Sequence, residues 1–113
     1  MRIEERVDSG IGILSIIGNL ALEETTELKK LIRPYLEEQG FAGLIWNLEN
    51  VKFIDSSGVG LIVSVFKSLK HLDKKFALAG LNQRSREILN ISKLDQFLII
   101  SPTNETALKI LKN

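Results

Sequence analysis

Residues 53 to 60, Phe53-Ile54-Asp55-Ser56-Ser57-Gly58-Val59-Gly60, hold two adjacent hydroxyls directly behind a carboxylate. They fall between a short apolar strand candidate and a helix with a wide apolar face, so the hydroxyls sit where a strand turns into a helix. Such a turn leaves about four backbone N–H groups without intrahelical partners, and any one of Asp55, Ser56 or Ser57 can cap them for roughly 1 kcal/mol. The same place suits a modification. A phosphoserine carries roughly −1.5 to −2 charges and three acceptor oxygens. At a helix N-terminus it meets free N–H groups and the positive end of the dipole, so the fold tolerates it. A partner covering the spot does not: a buried charge without a counter-charge costs roughly 3–5 kcal/mol, or hundreds-fold in affinity.

Other chemistries are poorly supported. His71 is the single histidine and there is no cysteine, which argues against imidazole or thiolate metal sites, disulfides and thiol catalysis. His71 lies 14 residues beyond Ser57, roughly 21 Å along a continuous helix, far outside hydrogen-bond reach of about 3 Å. Gly58-Val59-Gly60 lacks the third glycine of a dinucleotide loop and the lysine of a phosphate-binding loop. Lys67, Lys70, Lys74 and Lys75 read as a solvated face near a helix end. Arg84 and Arg86 could serve a partner, though nothing selects them, and Trp46 reads as core rather than as a stacking platform.

The elements around the octapeptide follow from periodicity. Ile11 to Ile17 is an apolar run bounded by Gly10 and Gly18, and it reads as a buried strand. A strand around Ile3 to Val7 can pair with it through Asp8-Ser9-Gly10, as a hairpin with a somewhat long loop. Leu28, Leu31, Ile32, Tyr35 and Leu36 form a helical stripe. Glu23, Glu24 and Glu27 favour its start, Gly40 can stop it, and Pro34 predicts a bend off the apolar side. Gly43 to Leu48 reads as a strand, Glu49 to Asp55 as a loop, and about Ser57 to Leu72 as a helix. Its stripe of Val59, Ile62, Val63, Phe66 and Leu69 is widened by Leu61, Val65 and Leu72 to an arc of roughly 200°. Exposure of Leu61 and Val65 beside the serines would mark a docking surface. Phe76 to Ala79 reads as a strand ended by Gly80, Gln83 to Ile91 as a helix, Phe97 to Ile100 as a strand and Thr103 to Leu111 as a helix. Alternation of strands and helices after the hairpin predicts an α/β fold with a mixed sheet.

Length and composition bound the reading. The 113 residues suit one domain over 1–113 that buries roughly two thirds of its unfolded surface. With 44% hydrophobic and 26% charged residues the chain has the balance of a globular protein, and a net charge of +1 predicts neither nucleic-acid nor anionic-membrane binding. The first residues lack the apolar segment of a signal peptide, and no apolar run approaches the roughly 18 residues of a membrane span, so a cytoplasmic location is expected.

Asn47 to Leu61, with Asp55-Ser56-Ser57-Gly58 at its heart, resembles the signature of the anti-sigma factor antagonists, the STAS-domain proteins of bacteria. Gly18-Asn19-Leu20 resembles that family's Gly-x-Leu turn. Phe76-Ala77-Leu78-Ala79-Gly80 and Ser92-Lys93-Leu94-Asp95-Gln96-Phe97 resemble later stretches of it. The resemblance implies a small mixed β-sheet with helices packed mainly on one face. It also implies a partner-switching regulator rather than an enzyme, without cofactor or metal, as a monomer or weak dimer. Its partners would be an anti-sigma factor serine kinase, which phosphorylates the serine after the signature Asp, here Ser56, and a serine phosphatase that reverses the step. In this reading Asp55 positions the loop, Ser57 caps the helix and Gly58 admits the kinase. Leu20 and Ala21 flank the phosphosite, and Leu61 and Val65 extend the partner surface. Many members carry an Asp where this chain has Ala21, a change that alters the local field and the kinase contacts. The alternative within the family is a STAS scaffold in a signalling or transport complex without a phosphorylation cycle.

Overall fold

The computed structural model describes residues 2–113. Strands β1 (Arg2–Asp8) and β2 (Ile11–Leu20) form the expected hairpin, but its turn is tighter than the sequence predicts. Asp8 pairs directly with Ile11, leaving a two-residue loop of Ser9 and Gly10 with φ of 54° and 78°. Two successive left-handed residues give the turn whose twist matches the flanking strands.

Helix α1 (Leu22–Glu37) leads to β3 (Gly43–Ile54), α2 (Ser56–His71), β4 (Lys75–Ala79) and α3 (Gln83–Ile91). A 3₁₀ turn at Leu94–Gln96, β5 (Ile99–Ser101) and α4 (Asn104–Lys112) complete the described residues. The sheet order is β1-β2-β3-β4-β5, with β1 antiparallel and the other pairs parallel. Buried side chains of α1, α2 and α3 share one core with Leu14, Ile16, Leu44, Trp46, Leu48 and Leu78 of the sheet. On the opposite face α4 buries Ala107, Leu108 and Leu111 against Ile11, Ile13, Ile45, Ala77 and Ala79. The mixed sheet is the one that strand and helix alternation predicts, the placing of helices mainly on one face is what the family resemblance implies, and Trp46 is fully buried.

Several boundaries differ, each for a physical reason. The predicted loop at 49–55 is strand: β3 continues to Ile54 against the far half of β2. Two register irregularities, between Ser15 and Ile17 and between Gly18 and Leu20, shift the pleat. The buried positions therefore fall at Leu48, Val51 and Ile54, a spacing of three that hides the alternation of a strand. The expected strand at 97–100 starts only at Ile99, because the 3₁₀ turn takes up the preceding residues. Helix α1 stops at Glu37, before Gly40, and carries Pro34 exposed in its final turn.

Lys74 and Lys75, expected on a solvated face, each close a helix. The Lys74 ammonium donates to the carbonyls of Tyr35, Leu36 and Glu38 at 2.9, 3.0 and 2.7 Å. The Lys75 ammonium donates to Leu111 and Asn113 at 3.2 and 2.8 Å. A charged donor at the last carbonyls satisfies orphan acceptors and favours the negative end of the dipole. Two consecutive lysines thus cap helices on opposite faces of the sheet; Lys74 is half-buried, while Lys75, Lys67 and Lys70 are exposed as expected.

Tyr35 ties α1 to β1, its hydroxyl donating to Glu5 Oε1 at 3.1 Å. Burial, reinforced by that carboxylate, pushes the phenol up from 10.0 to about 12. The fold therefore holds the neutral phenol, while the unfolded chain ionises near 10.0. The stabilisation from Tyr35 is present in full below that value and is lost as pH rises toward 12. Urea unfolding at pH 8 and pH 11 should show Tyr35→Phe less stable than the parent by about 1 kcal/mol at the lower pH, with a shallower loss at the higher one.

Candidate functional site

The extended β2 and β3 bring their C-terminal ends together, with Leu20 opposite Ile54. The β2–α1 and β3–α2 junctions therefore touch. The Asp55 N–H donates to the Leu20 carbonyl at 3.1 Å. The Asp55 carboxylate then serves two helices: Oδ1 accepts from the Gly58 N–H of α2 at 2.9 Å, and Oδ2 accepts from the Leu22 N–H of α1 at 3.2 Å. Ala21, at the N-cap of α1, offers no side-chain acceptor, and the carboxylate from the other junction satisfies one of the N–H groups that the first turn of α1 leaves without an intrahelical partner.

The N-cap of α2 is accordingly Asp55 and not Ser57, which is the second helical residue and half-buried. Ser56 is the first helical residue and is exposed. With Asp55 engaged on both oxygens, the Ser56 hydroxyl is the outward-facing polar group of the junction.

Gly58 has a different reason from the one its sequence suggests. It is buried, and a Cβ there would overlap the Leu20 carbonyl oxygen and come within 2.8 Å of Ile54 Cγ2. The glycine lets α2 pack onto the β2–α1 junction; it does not open the helix to an incoming protein. Leu20, Leu61 and Val65, expected to be exposed for a partner, are also buried, at 0%, 4% and 2% exposure. Leu61 and Val65 instead belong to the floor of two clefts between α1 and α2, of about 260 and 240 Å³, edged by Lys29 and Ser64. They are buried because α1 covers the side of α2 that a helical projection leaves unassigned.

His71 closes α2 at the end opposite the serines, and Arg84 and Arg86 are exposed on α3. Among the described residues no group of three or more His, Asp or Glu side chains could hold a metal, and no helix is long and apolar enough to cross a membrane. Sequence reasoning missed Asn82, whose Oδ1 caps α3 at Ser85 N–H while its Nδ2 donates to the Val51 carbonyl. Its position just before the first helical residue was the available signal.

A five-stranded mixed sheet of this order with its four helices has known counterparts. The STAS domain model matches residues 2–107, and the chain belongs to that family. An anti-sigma-B factor antagonist of Staphylococcus aureus is 27% identical over 105 residues, spanning 93% of this chain and 96% of the relative. Among solved structures, a provisionally named anti-sigma factor antagonist from Thermotoga maritima superposes with a TM-score of 0.92 at 24% identity, covering 98% of this chain and 95% of that one. The Bacillus cell fate determinant SpoIIAA in its phosphorylated form gives 0.76 at 22% identity, covering 96% and 97%. The architecture expected from the resemblance is thus shared at the level of fold.

Substitution at the clasp is expected to destabilise. Gly58→Ala must displace the Leu20 carbonyl and should cost roughly 1–3 kcal/mol by overpacking. Asp55→Ala should cost roughly 0.5–2 kcal/mol through loss of the cap, with Asp55→Asn recovering most of it. Guanidinium unfolding checks both; a Gly58→Ala protein as stable as the parent would refute the tight contact.

Proposed function

We propose that this chain is an anti-sigma factor antagonist whose binding is controlled by phosphorylation of Ser56. In this reading its partner is an anti-sigma factor that is itself a serine kinase, a serine phosphatase reverses the modification, and the chain acts in the cytoplasm as a binding module rather than as an enzyme. The observation that carries the reading is the exposed hydroxyl of Ser56 at the first position of α2, beside a carboxylate whose oxygens are already committed.

The physics of the switch follows from that position. A phosphate on Ser56 projects into water and lies at the positive end of α2, so the fold pays little for it. A kinase docked over the same helix end would have to desolvate the phosphate without a prepared counter-charge, which weakens binding by hundreds-fold or more at roughly 3–5 kcal/mol. Phosphoryl transfer and release of the complex are then consecutive results of one event. The name of the Staphylococcus aureus relative supports the partner class, and the Bacillus neighbour solved in a phosphorylated form is consistent with the switch.

Ser56→Asp is expected to lower affinity for the cognate kinase at least tenfold while shifting stability by no more than about 0.5 kcal/mol. Ser56→Ala should keep binding and lose incorporation of labelled phosphate from ATP. Mass mapping of residues 53 to 67 after incubation with the kinase locates the phosphate. Stoichiometric binding indifferent to ATP and to both substitutions would replace the switch with a constitutive STAS scaffold.

A further inference from the structure

The two glycines that open α2 sit in opposite surroundings. Gly58 is pressed against Leu20, whereas a Cβ on Gly60 would meet no atom within 4 Å. A glycine inside a helix weakens it relative to alanine, and at Gly60 no packing requirement offsets that loss. Gly60 is exposed and lies one turn beyond Ser56 on the same outward ridge, which continues through Val63 to Lys67 at helical spacing. The ridge is bare at Gly60, roughly 6 Å from Ser56 along the axis.

Beside the lower half of this ridge lies an apolar cleft of about 270 Å³, between Val63 and Phe66 of α2 and Leu94, Phe97 and Leu98 of the segment that follows α3. Phe97 forms one wall while 66% exposed, a large apolar surface left in water. Charge around the cleft has one sign on α2. From Ser56 to His71 the helix contains no carboxylate, and Lys67 and Lys70 are exposed, with the Lys70 ammonium 5.8 Å from the Phe66 ring centroid.

We propose that this strip, from Ser56 through Gly60 to the Phe97 cleft, docks an acidic segment of the kinase: its backbone crosses α2 at Gly60, one apolar side chain fills the cleft, and its carboxylates face Lys67 and Lys70. The proposal rests on the reading of the chain as a kinase-binding antagonist, because a kinase that modifies Ser56 must lie against this end of α2. It adds a cause for release, since a phosphate one turn from Gly60 meets an acidic segment and repels it as well as being desolvated.

The test titrates each purified anti-sigma factor kinase of the same genome, with ADP, against the parent, Gly60→Leu, Phe97→Ser and Lys67→Glu, with Ile110→Ser on α4 as a remote control. Each strip variant is expected to bind at least tenfold more weakly with an unchanged circular dichroism spectrum, the control to bind as the parent, and parental affinity to fall with added salt. Gly60→Ala should raise the melting temperature by about 2–5 °C, which shows that the glycine is not kept for the fold. Strip variants that bind as the parent overturn the docking strip, and if Ser56 is still phosphorylated and the complex still dissolves, the switch stands without it. Weakened strip variants with Ser56 unmodified by ATP leave the strip and overturn the switch. No complex with any of the kinases overturns both.

Discussion

One carboxylate holds the functional end of this molecule together. Asp55 caps α2 through one oxygen and reaches the first turn of α1 through the other, while its own N–H is fixed by the Leu20 carbonyl. Two positive helix ends are thereby turned toward a single negative group, which is favourable for both dipoles. The geometry works only because β2 and β3 run on past the strand beside them and because Gly58 has no side chain to keep the junctions apart. Sheet irregularity, glycine and cap form one constraint.

That constraint decides which serine is available. A cap must turn its side chain back onto the first turn, so whichever residue serves as the cap is withdrawn from solvent. With Asp55 in that role, Ser56 is released outward at the first helical position and Ser57 turns toward α1. Had Ser56 been the cap, its hydroxyl would have been committed to a backbone N–H, and modification would have dismantled the helix start. The assignment of the cap therefore separates the chemistry proposed for Ser56 from the stability of the fold.

The fold was legible where apolar periodicity was clean. The hairpin strands, the α3 boundaries and the position of Trp46 all followed from local pattern. Residues 49–54 were not legible as strand, because two bulges replace the period of two with a spacing of three at Leu48, Val51 and Ile54, and such a pattern looks like a loop with scattered apolar residues. Lys74 and Lys75 were unreadable for a different reason: the carbonyls they satisfy lie 36 to 39 residues away in sequence. At the candidate site the residue types were visible, but the division of labour between Asp55 and Ser57, and the burial of Leu61 and Val65, depend on which helix covers which side of α2. Only the tertiary arrangement supplies that.

The contrast between Gly58 and Gly60 carries the same lesson into function. Both break the helix-forming tendency of α2, and sequence alone gives no reason to treat them differently. In the structure the cost at Gly58 is offset by the approach of two junctions, whereas at Gly60 nothing within the chain offsets it. A fold near its stability threshold retains such a weakness most readily where a stronger residue would obstruct something. At Gly60 the obstructed space lies outside the molecule, one turn from Ser56, where the outward ridge of α2 meets the edge of the cleft shared with α1.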